Sequence, residues 1–367
     1  MAHTNHVHNC AQAGCSGPSR RHFLASAAAV GAASLLPVEL AAQAAKRHGL
    51  IDMHHHHFPK PYKEFANEWA AAHGEQGSRL VNSWTIEKTL GEMDKAGVQT
   101  AILSISPAGG GWFSQSAEAR SKIARLCNDS GAQDSRDHPG RFGLFAALPM
   151  PDIDASLKEI AYALDTLKAD GIGLFTSFGD KWPGEPAYAP VWEELNRRKA
   201  IVYFHPYAPN CCGNLVKGVP DSLLEYPYET PRTILSLLFN GALAKYRDIR
   251  WLFSHGGAAL PALSGRINQL SHLRAETSAK AGGGFAPNGI DYELKRLYYE
   301  IANAFYKPSM DAIMDYMPLS QLVFGTDYPY VGVSETADGL DKLGLKANTL
   351  AAIQRGNAQN LIPRLKA

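Results

Sequence analysis

From residue 50 onward, short apolar runs alternate with longer amphipathic segments along the chain. Eight of these runs are rich in β-branched and aromatic residues, and their length and composition predict strands. The predicted strands cover residues 50–56, 100–106, 141–149, 171–178, 200–206, 249–257, 297–304 and 322–329. Because the runs are nearly continuous in apolar residues, we expect strands that are buried on both faces, as in a parallel sheet.

The segments between the runs have the periodicity of amphipathic helices. In residues 156–170, the apolar residues Leu157, Ile160, Leu164 and Leu167 fall on one face at a period of 3.6 residues. The glycine that follows, Gly171, is interpreted as a helix-stop signal. Similar patterns over residues 85–97 and 190–200 predict helices before the second and fifth strands.

Eight successive β-then-α units predict an α/β fold of the (β/α)8 TIM-barrel type. The alternative is a doubly wound open sheet, which would normally carry a glycine-rich phosphate loop after an early strand. The second strand is followed instead by residues 107–112, Pro-Ala-Gly-Gly-Gly-Trp, which we interpret as a flexible loop on the active-site face. The barrel domain is expected to cover residues 45–367.

The first 44 residues have the order of features found in an export signal. Arg20 and Arg21 are adjacent, an apolar Ala-rich stretch runs to Leu36, and Ala42-Gln43-Ala44 has the form of a cleavage site. An ordinary Ala-rich helix is the alternative, but the ordered combination favours a twin-arginine signal peptide over residues 1–44 and a periplasmic location. No apolar run reaches the roughly 18 residues of a membrane span, so none is expected.

Charge and cysteine content exclude some classes of protein. The chain has 36 basic and 35 acidic residues with no basic stripe, so we expect no nucleic-acid partner. Beyond the signal, only Cys127, Cys211 and Cys212 remain, and they do not have the spacing of a disulfide framework or a metal site.

The first predicted strand ends in four consecutive histidines, His54 to His57. Side chains alternate along a strand, so His54 and His56 share one face, which is taken as the inward face of the barrel. Two imidazoles at this spacing can hold one small cation. We expect structural roles for His55, facing the outer layer, and for His57, which begins the first loop.

Three further strands end in residues that bind metals or move protons. These are His205 on the fifth strand, His255 on the sixth and Asp327 on the eighth. The active site of a barrel lies at the C-terminal ends of its strands, so these residues should converge. We predict that His54, His56, His205 and Asp327 are metal ligands.

Four ordered motifs resemble those of the amidohydrolase-related superfamily. They are Asp-x-His-x-His on the first strand, Phe-His-Pro on the fifth, Ser-His-Gly-Gly on the sixth and Gly-Thr-Asp-Tyr-Pro on the eighth. The resemblance spans about residues 49–362. Within the superfamily, the chain most resembles the decarboxylase branch, which includes aminocarboxymuconate-semialdehyde and γ-resorcylate decarboxylases. Within that branch, the resemblance is closest to the 6-methylsalicylate decarboxylase-like group.

The resemblance implies a role for each of these residues. His54, His56 and His205 would bind a divalent metal, and Asp327 would be the fourth ligand or an acid–base group, with His255 as an acid–base residue beside them. Arg266 lies where relatives place an arginine that faces a substrate carboxylate, although a surface ion pair is an equal alternative from the sequence. The fourth strand lacks the Lys or Glu of binuclear relatives, which implies one metal ion; zinc is the first expectation and manganese the second.

Two reactions fit such a site. The first is non-oxidative decarboxylation of a small hydroxy-aromatic acid, and the second is hydrolysis of a lactone by metal-activated water. Trp112, Phe175 and Phe305 are expected to wall an apolar pocket for the carboxylic acid or lactone substrate. Relatives are often dimers or larger, which implies a homodimer. A barrel that only stores metal would not need the acid–base groups.

Overall fold

The computed structural model describes residues 49–106, 111–270 and 284–366. The predicted signal peptide over residues 1–44 lies outside the described residues, as do residues 107–110 of the predicted glycine-rich loop. Among the described residues, every helix is too short or too polar to cross a lipid bilayer.

Eight parallel strands form a barrel in sequence order, each paired with its neighbours along the chain. The strands are β1 Leu50–His56, β2 Val98–Ser104, β3 Phe142–Ala147, β4 Gly171–Phe175, β5 Ile201–His205, β6 Arg250–Phe253, β7 Tyr298–Glu300 and β8 Leu322–Val323. A parallel bridge between His55 and Tyr328 joins β1 to the segment that follows β8. The predicted (β/α)8 barrel is therefore confirmed.

Helices surround the strands, and their ends follow local sequence signals. The α-helices of the described residues are α1 Lys60–Ala72, α2 Arg79–Ser83, α3 Ile86–Ala96, α4 Gly111–Ser114, α5 Ala117–Asp137, α6 Ile153–Ala161, α7 Ala189–Arg197, α8 Glu225–Phe239, α9 Ala242–Lys245, α10 Leu260–Leu270, α11 Ile290–Lys295, α12 Lys307–Tyr316, α13 Val333–Lys342, α14 Ala347–Ala351 and α15 Asn357–Leu361. In α3, Thr85 caps the first turn by accepting a hydrogen bond from the Lys88 N–H, and left-handed Gly97 ends the helix.

The first predicted strand matches β1, whereas the other seven were too long at their C-terminal ends, most clearly β6, β7 and β8. In each case the chain turns sharply just beyond the strand, at residues with positive φ: His255 (+57°), Asn303 (+57°) and Asp327 (+66°). A left-handed residue departs from extended backbone, so the continuous strands end before these positions. The helix-stop interpretation of Gly171 was also wrong, because Gly171 is the first residue of β4 and the chain reverses earlier, at Lys168 (φ +59°).

The lower part of the barrel interior is closed by apolar side chains. Six of the strands, β1, β2, β3, β5, β6 and β8, contribute one or two of them, and α15 and the residues after it complete the layer; the members are Ile51, Met53, Ile102, Phe145, Ile201, Tyr203, Leu252, Val323, Ala358, Leu361, Ile362 and Leu365. Arg250, the first residue of β6, donates a hydrogen bond to the Leu361 carbonyl, which places this closure at the N-terminal ends of the strands. The polar residues at the opposite ends therefore stand on a packed apolar floor.

Candidate active site

An irregularity in β1 brings its histidines inside the barrel. Asp52 pairs with Ala101 and His55 pairs with Leu103, so β1 advances three residues while β2 advances two. An extra residue of this kind reverses the alternation of side chains beyond it. Met53 therefore belongs to the interior layer, and His54 points inward as well. Strict alternation from Met53 would have put His54 outside.

The carboxylate of Asp52 braces this irregular segment. Its Oδ1 accepts hydrogen bonds from the backbone N–H groups of His54 (3.1 Å) and Thr326 (3.0 Å), and its Oδ2 accepts one from the Thr326 hydroxyl (2.6 Å). Asp52 is fully buried. The first strand and the segment after β8, which carry His54 and Asp327, are thus held in fixed register.

The predicted ligand residues converge. The Nε2 atoms of His54 and His56 are 3.0 Å apart, and they lie 3.1 and 3.0 Å from Asp327 Oδ1. His205 Nε2 is 4.0 Å from the same oxygen, and His255 Nε2 is 3.4 Å from Asp327 Oδ2. Ligand atoms of His54, His205, His255 and Asp327 all lie within 4.8 Å of one another.

Each of the three innermost imidazoles has its Nδ1 beside an acceptor. The acceptors are Glu300 Oε1 for His54 (2.7 Å), the Ser104 carbonyl for His56 (3.3 Å) and the Pro206 carbonyl for His205 (2.8 Å). Since a carbonyl or carboxylate oxygen cannot donate, Nδ1 of each ring carries a proton, and the three Nε2 atoms face the centre.

The charges around the cluster favour a cation. Burial lowers the pKa of His54, but the carboxylates of Glu300 and Asp327 outweigh it and raise that pKa to about 10. Burial lowers the pKa of His205 to about 3, so this imidazole is neutral. Burial opposes ionisation of Asp327, but His54 and hydrogen bonds from histidines hold the pKa of Asp327 well below its usual range. A cation bound at the centre would replace the proton on His54 Nε2, and converging imidazole nitrogens with a buried carboxylate are the donor set of one divalent metal ion.

Sequence reasoning missed two residues that hold the cluster together. Glu300, at the end of β7, is fully buried and contacts His54, and its Oε1 also accepts the His255 N–H (2.8 Å). Asn303 follows three residues later, and its amide donates to Asp327 Oδ2 (2.7 Å). A lone acidic residue at the end of an otherwise apolar strand was the available signal for Glu300.

Other candidate residues lie away from the centre. His55 Nδ1 contacts Asp52 Oδ2 (2.8 Å) and its ring stacks on Tyr328, while His57 Nε2 lies 3.4 Å from the Cys127 carbonyl. Both imidazoles contact other protein groups rather than the centre of the cluster, which agrees with the structural roles predicted for them. Arg266 is exposed on α10 and is not among the described residues that line the cavity below.

A cavity of about 1000 Å³ opens above the cluster. Its floor includes His205, His255 and Asp327, and its walls include the side chains of Ser106, Ser222, Leu223, Tyr226, Tyr228, Ala258, Ala262, Asn303, Ser309, Ala312 and Tyr330. Trp112, Phe175 and Phe305 are buried elsewhere and do not line it, so the prediction for these three residues was wrong. Among the described lining residues, none is Arg or Lys.

Left-handed backbone is concentrated at this cavity. Four of the described non-glycine residues with positive φ, His255, Ala258, Asn303 and Asp327, line it. Such conformations are sparsely populated and persist where the surrounding structure imposes them, often at functional sites. His255, Asn303 and Asp327 follow β6, β7 and β8, and their polar side chains line one chamber.

Comparison with known proteins gives two family matches. The amidohydrolase family model matches residues 51–364. The model of the twin-arginine translocation pathway signal sequence matches residues 17–37, so the chain carries a signal for export by that route.

Individual relatives cover nearly the whole barrel. The chain is 32% identical over 331 residues to the decarboxylase macB of Penicillium terrestre, spanning 86% of this chain and 95% of that protein. It is 32% identical over 329 residues to the 6-methylsalicylic acid decarboxylase acuB of Aspergillus aculeatus, spanning 86% and 96%. A crystal structure of dihydroxybenzoic acid decarboxylase from Polaromonas sp. JS666, with bound manganese and the inhibitor 2-nitroresorcinol, shares the fold at a TM-score of 0.70 and 21% identity, covering 87% of this chain and 98% of that chain.

The barrel topology, the converging histidines and aspartate, and a family match over almost all of the described residues agree with one another. This chain therefore belongs to the amidohydrolase family.

Proposed function

We propose that this protein is a metal-dependent, non-oxidative decarboxylase of a small hydroxy-aromatic acid such as 6-methylsalicylate. The observation that carries the proposal is the 32% identity to a 6-methylsalicylic acid decarboxylase over 96% of that protein. The cavity supports it, since tyrosines and small apolar residues surround a polar floor, as binding of an aromatic ring requires. The alternative, a lactone-opening hydrolase, gains no support from the relatives described above.

His54, His56, His205 and Asp327 would hold one divalent ion, through three imidazole nitrogens and a carboxylate oxygen. Such an ion would supply Lewis-acid stabilisation of negative charge that develops on the substrate. Since the described cavity wall offers no Arg or Lys, a cation held by these four residues would be the main positive charge available to a substrate carboxylate. The ligand set suits zinc or manganese, and elemental analysis of the purified protein distinguishes them.

Asp327 and His255 are placed to move the proton that the reaction needs. Both line the cavity, and their facing atoms are 3.4 Å apart. A proton is added to the ring carbon that bears the carboxylate, and the bond from this carbon to the carboxylate then breaks. The bonding electrons return to the ring, restoring its aromaticity, and CO2 leaves. The pair would act as general acid, with His255 facing the cavity and Asp327 next to the buried histidines.

The experiment is turnover of 6-methylsalicylate in D2O by the metal-loaded protein. We expect release of CO2 and 3-methylphenol with one deuteron at the carbon that lost the carboxylate. Removal of the metal with a chelator should abolish turnover, and added manganese or zinc should restore it. Hydrolysis of dihydrocoumarin without CO2 release from any hydroxybenzoate would overturn the proposal in favour of the hydrolase.

The role of Arg266 in binding a substrate carboxylate stays a prediction from the resemblance. Its side chain lies outside the cavity of its own chain, so Arg266→Ala is an informative variant. A raised KM for 6-methylsalicylate would support the role, and an unchanged KM would refute it. The homodimer also stays a prediction, and sedimentation of the mature protein tests it.

The matched signal supports export by the twin-arginine route. We propose the periplasm as the location of the mature protein. Proteins that use the twin-arginine route cross the membrane folded, so the metal would be loaded before export. Fractionation of cells that produce the full chain tests this location.

A further inference from the structure

The geometry points to Asn303 as a positioning residue that fixes the Asp327 carboxylate for proton transfer, an inference that rests on the proposed decarboxylase function. Asn303 lies in the turn after β7, where the sequence showed no chemical motif. Its Nδ2 donates to Asp327 Oδ2 at 2.7 Å and is 3.3 Å from His255 Nε2. One amide group thus contacts both residues that move the proton.

The contact divides the two oxygens of Asp327 between two tasks. Oδ1 lies against the nitrogens of His54 and His56, and Oδ2 is held beside His255 on the cavity side. Rotation of the carboxylate about its χ2 angle would exchange the two oxygens, and the Asn303 hydrogen bond opposes this rotation. An amide NH2 neither gains nor loses a proton at ordinary pH, so the restraint persists while a proton passes between Asp327 and His255.

The backbone of Asn303 supports a dedicated role. Its φ of +57° lies in the left-handed region, which Asn adopts more readily than most residues, and Ala304 beside it lines the same cavity. The side chain is exposed to the cavity rather than packed in the core. Glycine would also adopt this left-handed backbone conformation, but it would not supply the amide donor that Asn303 provides.

Two substitutions distinguish the effect of the Asn303 amide group from the effect of its left-handed backbone. Asn303→Gly keeps the left-handed conformation and removes the side chain, and Asn303→Asp keeps the shape but places an acceptor opposite Asp327. Asn214 has nearly the same φ, +53°, on an exposed loop, so Asn214→Gly is the matched control. With saturating manganese, we expect kcat for 6-methylsalicylate to fall about 10–100-fold in both Asn303 variants, with KM within threefold of wild type.

Manganese affinity, measured by titration of the metal-free protein, gives a readout independent of turnover. We expect it to change by less than the fall in kcat. A fall in kcat of less than tenfold, or a loss of manganese affinity as large as the loss of kcat, would overturn the proposal. If the wild-type protein decarboxylates no hydroxybenzoate, the proposed function is wrong. If the wild-type protein is active and the Asn303 variants are equally active, only the role of Asn303 is wrong.

Discussion

Glu300 Oε1 lies 2.7 Å from His54 Nδ1, and both side chains are fully buried. The two residues are 246 positions apart in the chain. Glu300 also accepts hydrogen bonds from the backbone N–H groups of His255 and Ala302, so it joins β1, β6 and β7 beneath the candidate metal centre. A carboxylate behind a ligating histidine fixes the tautomer and the direction of the ring.

Replacing this carboxylate should weaken metal binding. For Glu300→Gln we expect a fall in manganese or zinc affinity of about 10–100-fold, because the amide is a weaker acceptor for His54 Nδ1–H and lacks the negative charge. Competition with a chromogenic chelator measures the affinity. Glu293 is an equally buried glutamate, but it binds Arg247 and Arg296, so Glu293→Gln should lower stability without changing metal affinity. Equal affinities of the Glu300 variant and wild type would contradict the assignment.

Loss of the His255 imidazole should slow the chemical step. We expect His255→Gln to lower kcat by about 10²–10⁴-fold, the usual contribution of a general acid–base group, with the metal retained. Steady-state release of CO2 and elemental analysis measure the two effects. His73→Gln removes an imidazole from the exposed end of α1 and should leave kcat unchanged. A His255 variant with wild-type kcat would exclude His255 from proton transfer.

The stability of the barrel should depend on the ionisation of Asp134 in α5. Burial raises the pKa of Asp134 to about 6, above the value of about 3.9 in an unfolded chain. A raised carboxyl pKa contributes stability that is complete at low pH and is lost as the pH rises through 6. At pH 7.5 we therefore expect Asp134→Asn to be more stable than wild type by about 1 kcal/mol after allowance for solvent screening, or about 2 °C in Tm.

Thermal melting at pH 4 and pH 7.5 tests this prediction. The advantage of Asp134→Asn should disappear at pH 4, where both side chains are neutral. Glu118 lies in the first turn of the same helix, sixteen residues before Asp134, and is exposed, so Glu118→Gln serves as the control and should not gain stability selectively at pH 7.5. The same gain for Asp134→Asn at both pH values would rule out ionisation as its cause.

The twin-arginine pair should decide export. We expect the double variant Arg20→Lys, Arg21→Lys to remain in the cytoplasm as the full-length precursor, because the route requires the pair. Arg47→Lys, the same change outside the matched signal, should be exported normally. Cell fractionation measures location, and N-terminal sequencing of the exported protein should place the start of the mature chain near residue 45. Export of the double variant would mean that another signal directs it.

The sequence by itself determined the architecture and most of the candidate centre. Strand and helix periodicity are local, and in a parallel barrel the chain order of the strands is also their spatial order. Residues at the ends of β1, β5, β6 and β8 therefore had to meet, which identified His54, His56, His205, His255 and Asp327 without coordinates.

Only the tertiary structure decided how these residues face one another. The irregular pairing of β1 is set by hydrogen bonds from Asp52 to the segment after β8, and no period in the sequence encodes it. Glu300 and Asn303 act through partners far away in sequence or on other strands, and Trp112, Phe175 and Phe305 pack away from the cavity that they were expected to wall. Local sequence predicts the strands and the residues at their ends. The contacts of these residues with one another depend on backbone turns and on pairings between segments distant in the chain.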